Sequence, residues 1–160
     1  MLFEKDFQGQ EWYEPFKDTS LKNMTWAKCL LKREFYCFLD YKSFYDTESY
    51  VSVFHEFSTF CKPDLDFQVL SYDGPFIYLL IDGEELIYEK EDTHYSDDQL
   101  CDKLNLFLCE RTTCSLRFSQ FHVSDWTCIG LMSKEQYDVM KQLQLVPLVE
   151  GEIDSQEMFW

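Results

Sequence analysis

The longest uninterrupted apolar run in the chain is Phe76–Ile81, and the predicted fold is built around it. A run of six residues is typical of a strand covered on both faces rather than of a free-standing helix. Asp82-Gly83 follows the run and supplies the two positive-φ positions of a type I′ hairpin turn. Gly74-Pro75 precedes it and indicates a second tight turn. We therefore predict an antiparallel β-meander over residues 66–89, with Phe76–Ile81 as its middle strand.

One helical pattern is especially clear, because apolar side chains recur every three or four residues between positions 50 and 61. Asp46 or Thr47 is predicted to cap this helix, and Lys62-Pro63 to end it. His55 falls off the apolar stripe and is predicted to be solvated. The core-facing stripe comprises Tyr50, Val53, Phe54, Phe57, Phe60 and Cys61.

Three further helices are predicted from caps and spacing. Ser96 provides a hydroxyl cap, and Asp97 and Asp98 provide acids for a first turn, so a helix is expected from there to about Arg111. The capping box at residues 133–136 predicts a last helix. A less regular pattern predicts a helix over residues 21–33, capped by Thr19 or Ser20. The buried positions of the helix from Ser96 are predicted to be Leu100, Leu104, Phe107 and Leu108.

Aromatic and β-branched stretches predict the remaining strands at 35–41, 115–123, 126–132 and, as an edge strand, 145–149. Residues 1–18 are predicted to be an irregular arm whose aromatic side chains pack onto the body, and residues 150–160 an acidic tail. No repeat or linker divides the chain. The prediction is one α+β domain over residues 1–160, with an antiparallel sheet, a central β-meander and three to four helices packed against it.

The charge of the chain is large and negative. Its 30 carboxylates outnumber its 14 lysines and arginines, which gives a formal net charge of −16 with histidine neutral. Hydrophobic residues make up 46% of the chain, so it can build a core and the charge does not indicate disorder. A field of this sign disfavours nucleic acid and anionic lipid as direct partners and favours basic ones.

The composition also bears on the cellular compartment. Residues 1–6 lack the basic start and apolar centre of a signal peptide. No apolar segment approaches the roughly 18 residues of a transmembrane helix, so no membrane partner is expected. The seven cysteines are an odd number scattered among apolar residues, which favours reduced, buried thiols over a disulfide framework. We therefore expect a cytoplasmic protein.

No motif in the sequence predicts catalysis. Seven cysteines and three histidines always allow an imagined Cys–His pair, so their presence carries no information. Cys109 and Cys114, with Cys101 before them, do not have the spacing of a zinc ribbon or finger. Glycine-rich phosphate loops are absent, and thirty carboxylates make adjacent acids unavoidable. We expect no enzyme, no catalytic residue, no metal and no cofactor.

Acidic residues are concentrated between positions 84 and 102, where eight carboxylates accompany Lys90 as the one basic residue. One explanation is structural: charges on a sheet edge prevent aggregation, and acids favour a first helical turn. The functional explanation is a binding face for a strongly basic protein, with carboxylates to steer encounter and tyrosines as anchors. The predicted partner-binding residues are Glu84, Glu85, Glu89, Glu91, Asp92, His94, Tyr95, Asp97 and Asp98.

In its size, acidity, tolerance of cysteine and lack of a catalytic motif, the chain resembles the immunity proteins of bacterial toxin systems, including contact-dependent inhibition. The resemblance covers the whole chain in size and charge but no motif, so no functional residue is carried over by position. It implies a cytosolic protein that binds a cognate toxin domain, often a basic nuclease, and occludes its active site.

Two other classes of function stay open. A nucleic-acid mimic of the anti-restriction or phage type would inhibit a host nuclease by presenting acids in regular rows over an elongated surface. An enzyme or ligand-binding domain would contain a deep pocket with a buried cysteine, histidine or glutamate of shifted pKa.

Overall fold

The computed structural model describes residues 36–39, 44–91, 97, 99–123, 126–142 and 158–160. These residues form six strands and three helices, which confirms the α+β class. In chain order the elements are β1 (Tyr36–Leu39), α1 (Thr47–Phe60), β2 (Phe67–Asp73), β3 (Phe76–Ile81), β4 (Glu84–Glu89), α2 (Leu100–Arg111), β5 (Arg117–Val123), β6 (Trp126–Met132) and α3 (Lys134–Gln142). The predicted arm at 1–18, helix at 21–33, edge strand at 145–149 and most of the acidic tail lie outside the described residues.

The predicted β-meander is confirmed as a three-stranded antiparallel sheet in the order β2-β3-β4. Asp82 and Gly83 have φ angles of 49° and 81°, as a type I′ turn requires. Gly74 has a φ of 56° at the other turn, a conformation that glycine adopts without a steric penalty. The register of β2 on β3 shifts between Val69 and Ser71, which places a bulge in β2.

The prediction that β3 is covered on both faces is wrong. Ile77, Leu79 and Ile81 are buried, whereas Phe76 is 39% exposed and Tyr78 and Leu80 are only half-buried. Successive side chains of a strand point to opposite faces of its sheet, so the unbroken apolar run supplies one buried row and one partly exposed row. Helix α1 packs against the buried face.

The other three strands form a second antiparallel sheet in the order β1-β6-β5. Helices α2 and α3 both pack against β5, and α1 contacts β1 as well as β2 and β3, so α1 bridges the two sheets. The predicted apolar stripe of α1 is buried throughout. The Asp46 carboxylate caps the N-terminus of α1 by accepting a hydrogen bond of 2.8 Å from the backbone N–H of Ser49.

Aromatic rings make the core continuous between the two sheets. The Phe57 ring of α1 stacks on the Phe118 ring of β5, with centroids 5.2 Å apart. Phe67 of β2 meets both rings edge-on, at 5.6 Å from Phe57 and 6.1 Å from Phe118. All three side chains are fully buried. The packing of helix α1 therefore holds the meander against the second sheet.

Asn105 is a buried polar residue that the sequence analysis did not single out. Its side-chain Nδ2 donates to the Phe118 carbonyl at 2.8 Å, and its Oδ1 accepts from the Phe118 N–H at 2.7 Å. Strand β5 is last in the order of its sheet, so the amide of Asn105 takes the place of a neighbouring strand's backbone. It satisfies two backbone groups that would otherwise lack a partner.

The last helix is confirmed with its capping box, in which Ser133 N–H donates to Gln136 Oε1 at 2.9 Å and Gln136 N–H donates to Ser133 Oγ at 3.2 Å. Residues 158–160 pack against the body nearby. The Trp160 ring lies 5.5 Å from that of Tyr137, and the Phe159 carbonyl accepts a 2.9 Å hydrogen bond from Arg117 Nε.

Two neighbouring positions on β3 are expected to respond differently to an introduced charge. Leu79→Asp is expected to unfold the protein, because Leu79 is 1% exposed and the new carboxylate would be buried without a partner. Tyr78→Asp is expected to fold, because Tyr78 lies in the partly exposed row. Circular dichroism and thermal unfolding of the two variants test this. An unfolded Tyr78→Asp protein would show that both faces of β3 are core.

Removal of the Asn105 amide is expected to lower the free energy of unfolding. Asn105→Leu leaves the Phe118 N–H and carbonyl unpaired in a buried position, which costs about 2–4 kcal/mol. Leu106→Ser is the control, since Leu106 is the next residue on α2 and is 49% exposed. Urea unfolding measures both. Equal stabilities for Asn105→Leu and the wild type would contradict this role for the amide.

Candidate partner-binding site

Strand β4 divides the predicted acidic site between two faces of the meander. Glu85, Ile87 and Glu89 are exposed, whereas the alternate residues Leu86 and Tyr88 are half-buried and buried. This is the period of two that a strand imposes on its side chains. The two exposed glutamates therefore flank an exposed isoleucine on one face of the sheet.

Cross-strand register assembles a continuous surface around these three residues. Glu85 lies opposite Leu80, Ile87 opposite Tyr78, and Glu89 opposite Phe76. On the far side of β3, Ser71 lies opposite Tyr78 and Asp73 opposite Phe76. We call this surface the outer face: Gln68, Ser71, Asp73, Phe76, Tyr78, Leu80, Glu85, Ile87 and Glu89, together with Leu70, which is exposed and lies beside Ser71 in the bulge, where two residues of β2 oppose one of β3.

The outer face combines an apolar centre with acidic margins. Its apolar side chains include Ile87 at 60% exposure and Leu70, in the bulge, at 51%. Three carboxylates lie on this face, that of Asp73 at the end of β2 and those of Glu85 and Glu89 along β4, and none of the ten residues of the face is basic. Leu70, Phe76, Tyr78 and Ile87 were absent from the predicted site. The alternation of Glu85-x-Ile87-x-Glu89 was the signal that could have identified them.

Two of the other predicted acids have basic partners within the fold. Glu84 Oε2 lies 2.8 Å from Arg111 Nη2, and Glu91 Oε1 lies 2.5 Å from Lys103 Nζ. Both pairs join the meander and its following residues to α2. The charges of Glu84 and Glu91 are therefore already partly neutralised, whereas Glu85 and Glu89 form no ion pair with another described residue.

Asp97 does not belong to an exposed surface, which corrects the prediction. It is 3% exposed, and its Oδ2 accepts hydrogen bonds from the Tyr88 hydroxyl at 2.5 Å and the Tyr50 hydroxyl at 2.8 Å. Its Oδ1 accepts from the Gln99 N–H at 3.1 Å, and α2 begins only at Leu100. The Ser-Asp-Asp pattern is typical of a helix cap, but the Asp97 carboxylate instead binds the hydroxyls of Tyr88, nine residues earlier, and Tyr50, 47 residues earlier.

Tyr50, Tyr88 and Asp97 form a buried cluster, which we call the tyrosine–aspartate cluster. Tyr88 is 2% exposed, so it is not the surface anchor that the sequence indicated. Burial, reinforced by the hydrogen bonds to Asp97 and its charge, raises the pKa of both tyrosines well above the ordinary value. Both hydroxyls therefore remain donors at physiological pH.

The cluster also connects Glu91 to Asp97. The Glu91 N–H donates to the Tyr50 hydroxyl oxygen at 3.3 Å, and the same hydroxyl donates to Asp97. Lys103 Nζ, which pairs with Glu91, lies 5.2 Å from the centroid of the Tyr88 ring, within range of a cation–π interaction. The predicted site residues Asp92, His94, Tyr95 and Asp98 lie outside the described residues and stay predictions.

Four cysteines, at positions 61, 101, 109 and 114, are free thiols with different surroundings. Cys61 and Cys101 are buried, as predicted, but Cys109 is exposed and Cys114 half-buried. Burial raises the pKa of the Cys101 thiol, which disfavours the nucleophilic thiolate. Over the described ranges, no three histidine, cysteine or acidic side chains come together as a metal site. No helix of that part of the chain has the length and apolar character to cross a membrane.

No family model matches the chain, and neither a curated protein nor a solved structure matches it. A functional proposal for this protein therefore rests on the geometry, exposure and charge of its own residues.

Loss of either buried hydroxyl is expected to destabilise the fold. Tyr50→Phe or Tyr88→Phe removes a hydrogen bond from a buried carboxylate and lowers the free energy of unfolding by about 1–3 kcal/mol at pH 7. Tyr72→Phe is the control, because Tyr72 is 48% exposed, and its effect is expected within about 0.5 kcal/mol.

The pH dependence of the wild type tests the same cluster. Folding raises the pKa of both tyrosines, so their contribution to the free energy of unfolding is complete below the ordinary tyrosine pKa of about 10. Above that pH the unfolded chain loses protons that the folded chain keeps, and the contribution falls. In that range the free energy of unfolding falls by about 1.4 kcal/mol per pH unit for each tyrosine. Each Phe variant lacks one of the two tyrosines, so its free energy of unfolding should fall less steeply with pH. Urea unfolding between pH 7 and 11 measures it. Identical alkaline slopes in the variants and the wild type would contradict the assignment.

Proposed function

We propose that this protein is a cytosolic inhibitor of the immunity type, which binds a basic toxin domain, most simply a nuclease, and occludes its active site. The observation that carries the proposal is the outer face, where three carboxylates border an exposed apolar centre without a basic residue among them. The net charge of −16 adds a long-range field of the same sign.

The chemistry of a nuclease explains why such a face suits it. A domain that binds RNA or DNA contacts phosphates through lysine and arginine, so its substrate cleft is basic. Glu85, Glu89 and Asp73 would attract that cleft and, once docked, would exclude the polyanionic substrate. Electrostatic steering raises association rates to roughly 10⁸ M⁻¹s⁻¹ or more at low salt, which is useful against an enzyme that is harmful while free.

The proposal assigns different roles to the acids that the sequence grouped together. Glu85 and Glu89 contact the partner directly, and Asp73 joins them because it lies on the same face. Glu84 and Glu91 contribute less, because Arg111 and Lys103 already pair with them. The buried Asp97 supports the fold instead of the interface.

The geometry favours this function over a nucleic-acid mimic. A mimic presents rows of acids in the positions of phosphates, whereas the outer face separates Glu85 from Glu89 by the exposed Ile87. An apolar centre is instead what a protein interface requires, since well-packed apolar and aromatic contacts supply most binding energy.

Charge reversal on the outer face is expected to impair partner capture. Immobilised wild-type protein, incubated at low salt with nuclease-treated lysate of the source cell, is expected to retain one small basic protein that elutes at high salt and whose nuclease activity the wild type suppresses. The triple variant Asp73→Lys, Glu85→Lys, Glu89→Lys is expected to associate with that protein at least about tenfold more slowly.

The matched control carries the same change in net charge at exposed acids elsewhere: Asp64→Lys, Glu110→Lys, Glu135→Lys. It is expected to lose less of the association rate than the outer-face variant. Equal rates for the two variants would show that the outer face is not the docking surface. Capture of a large host nuclease or polymerase would favour the mimic, and the absence of a basic partner would refute the proposed function.

A further inference from the structure

We propose that the outer face binds a basic amphipathic helix of the partner, with the apolar stripe of that helix over Leu70, Tyr78 and Ile87. The inference rests on the proposed function for the basic character of the partner, and it adds the chemistry of the docking segment. Scattered exposed apolar residues are normal on a protein surface, but contiguous ones mark an interaction site.

The exposed apolar residues are contiguous because β-sheet register aligns them. Tyr78 lies opposite Ile87 on one side and Ser71, next to Leu70, on the other, so a row of apolar side chains crosses all three strands. Ile87 and Leu70, at the two ends of the row, are 60% and 51% exposed. The inner face of the same sheet packs on α1, whereas Leu70, Phe76 and Ile87 of the outer face are exposed.

The dimensions of the face fit one helix. The apolar row crosses three strands, which span about 10 Å between their axes, and a helix lying along the row covers that length in about seven residues. The rows that contain the carboxylates lie two residues, or about 7 Å, to either side of it, within reach of the flanking side chains of a helix about 10 Å wide. Covering one face of an antiparallel sheet with a helix is also a common solution in α+β folds.

Charge decides which occupant fits. Glu89 and Asp73 lie opposite Phe76 on its two sides, and Glu85 lies opposite Leu80, so a helix over the apolar row would bring its flanking side chains to carboxylates on both margins. Lysine or arginine at those flanking positions completes the contact.

Three of the other candidate occupants carry the wrong charge. Residues 1–18 contain five acids and two lysines, and residues 143–157 contain four acids and no basic residue. A second copy in a two-fold dimer would place the same acidic face against itself. Each of these three would add like charges beside Asp73, Glu85 and Glu89. Residues 19–35 carry four basic residues and one acid, and the crosslinking experiment below distinguishes this segment from a helix of the partner.

Two synthetic peptides of about 14 residues test the proposal on the full chain. One has leucines at helical spacing among lysines, and the other has the same composition in an order that gives no apolar stripe. Fluorescence anisotropy is expected to show at least tenfold tighter binding of the amphipathic peptide. Leu70→Ser with Ile87→Ser is expected to remove most of that difference, and Leu106→Ser, an exposed position on α2, to leave it unchanged.

A photo-crosslinking residue in place of Ile87 identifies the occupant directly. The expected product is a crosslink to the amphipathic peptide, with the folded state verified by circular dichroism. Crosslinks to residues 1–35 or 143–157, or to a second copy, before peptide is added would overturn the proposal. Equal affinity for the two peptides would also overturn it, because charge alone would then explain binding.

These outcomes are separable from those of the proposed function. If charge reversal abolishes capture of the basic partner while Leu70→Ser with Ile87→Ser leaves its affinity intact, the proposed function stands and the helix-docking proposal fails. If the amphipathic peptide binds selectively but the lysate yields no basic partner, the docking proposal stands and the proposed function fails.

Discussion

The carboxylate of Asp97 joins helix α1 to strand β4 and to the start of helix α2. Tyr50 of α1 and Tyr88 of β4 donate to one of its oxygens, and the backbone of Gln99, just before α2, donates to the other. A buried carboxylate is stable only when such donors compensate for its lost hydration. The position of β4 against α1 therefore depends on this cluster, because Tyr88 must face inward to reach Asp97.

The orientation of Tyr88 also determines what the protein displays. Side chains alternate along a strand, so an inward Tyr88 sends its neighbours Ile87 and Glu89 to the outer face. On the inner side, the aromatic contacts of Phe57 with Phe67 and Phe118 hold the meander to the second sheet through α1. The core and the outer face are thus two consequences of one strand register.

Local patterns in the sequence were sufficient for most of the secondary structure. The apolar stripe of α1, the Asp82-Gly83 turn and the capping box at Ser133 each depend on residues within a few positions of one another, and each prediction is confirmed. The α+β class followed from their order. The division of the strands into two sheets bridged by α1 depends on long-range packing, which periodicity does not encode.

The candidate site was predicted less well, for the same reason. Asp97 is followed by another acid in a pattern typical of a helix start, and its burial depends on Tyr50, 47 residues earlier in the chain. The unbroken run at Phe76–Ile81 cannot reveal whether both faces of β3 are covered. Glu85 and Glu89 were predicted as surface acids, and the exposure of both agrees with that part of the prediction.

The most direct measurement is a methyl NMR titration of the isoleucine-labelled protein with the captured basic partner. Ile87 reports on the outer face, and the buried Ile77, Ile81 and Ile129 serve as internal controls. The account predicts that the Ile87 methyl resonance shifts or broadens first while those of the three buried residues change little. Saturating binding that leaves Ile87 unperturbed would contradict the assignment of the outer face as the binding site.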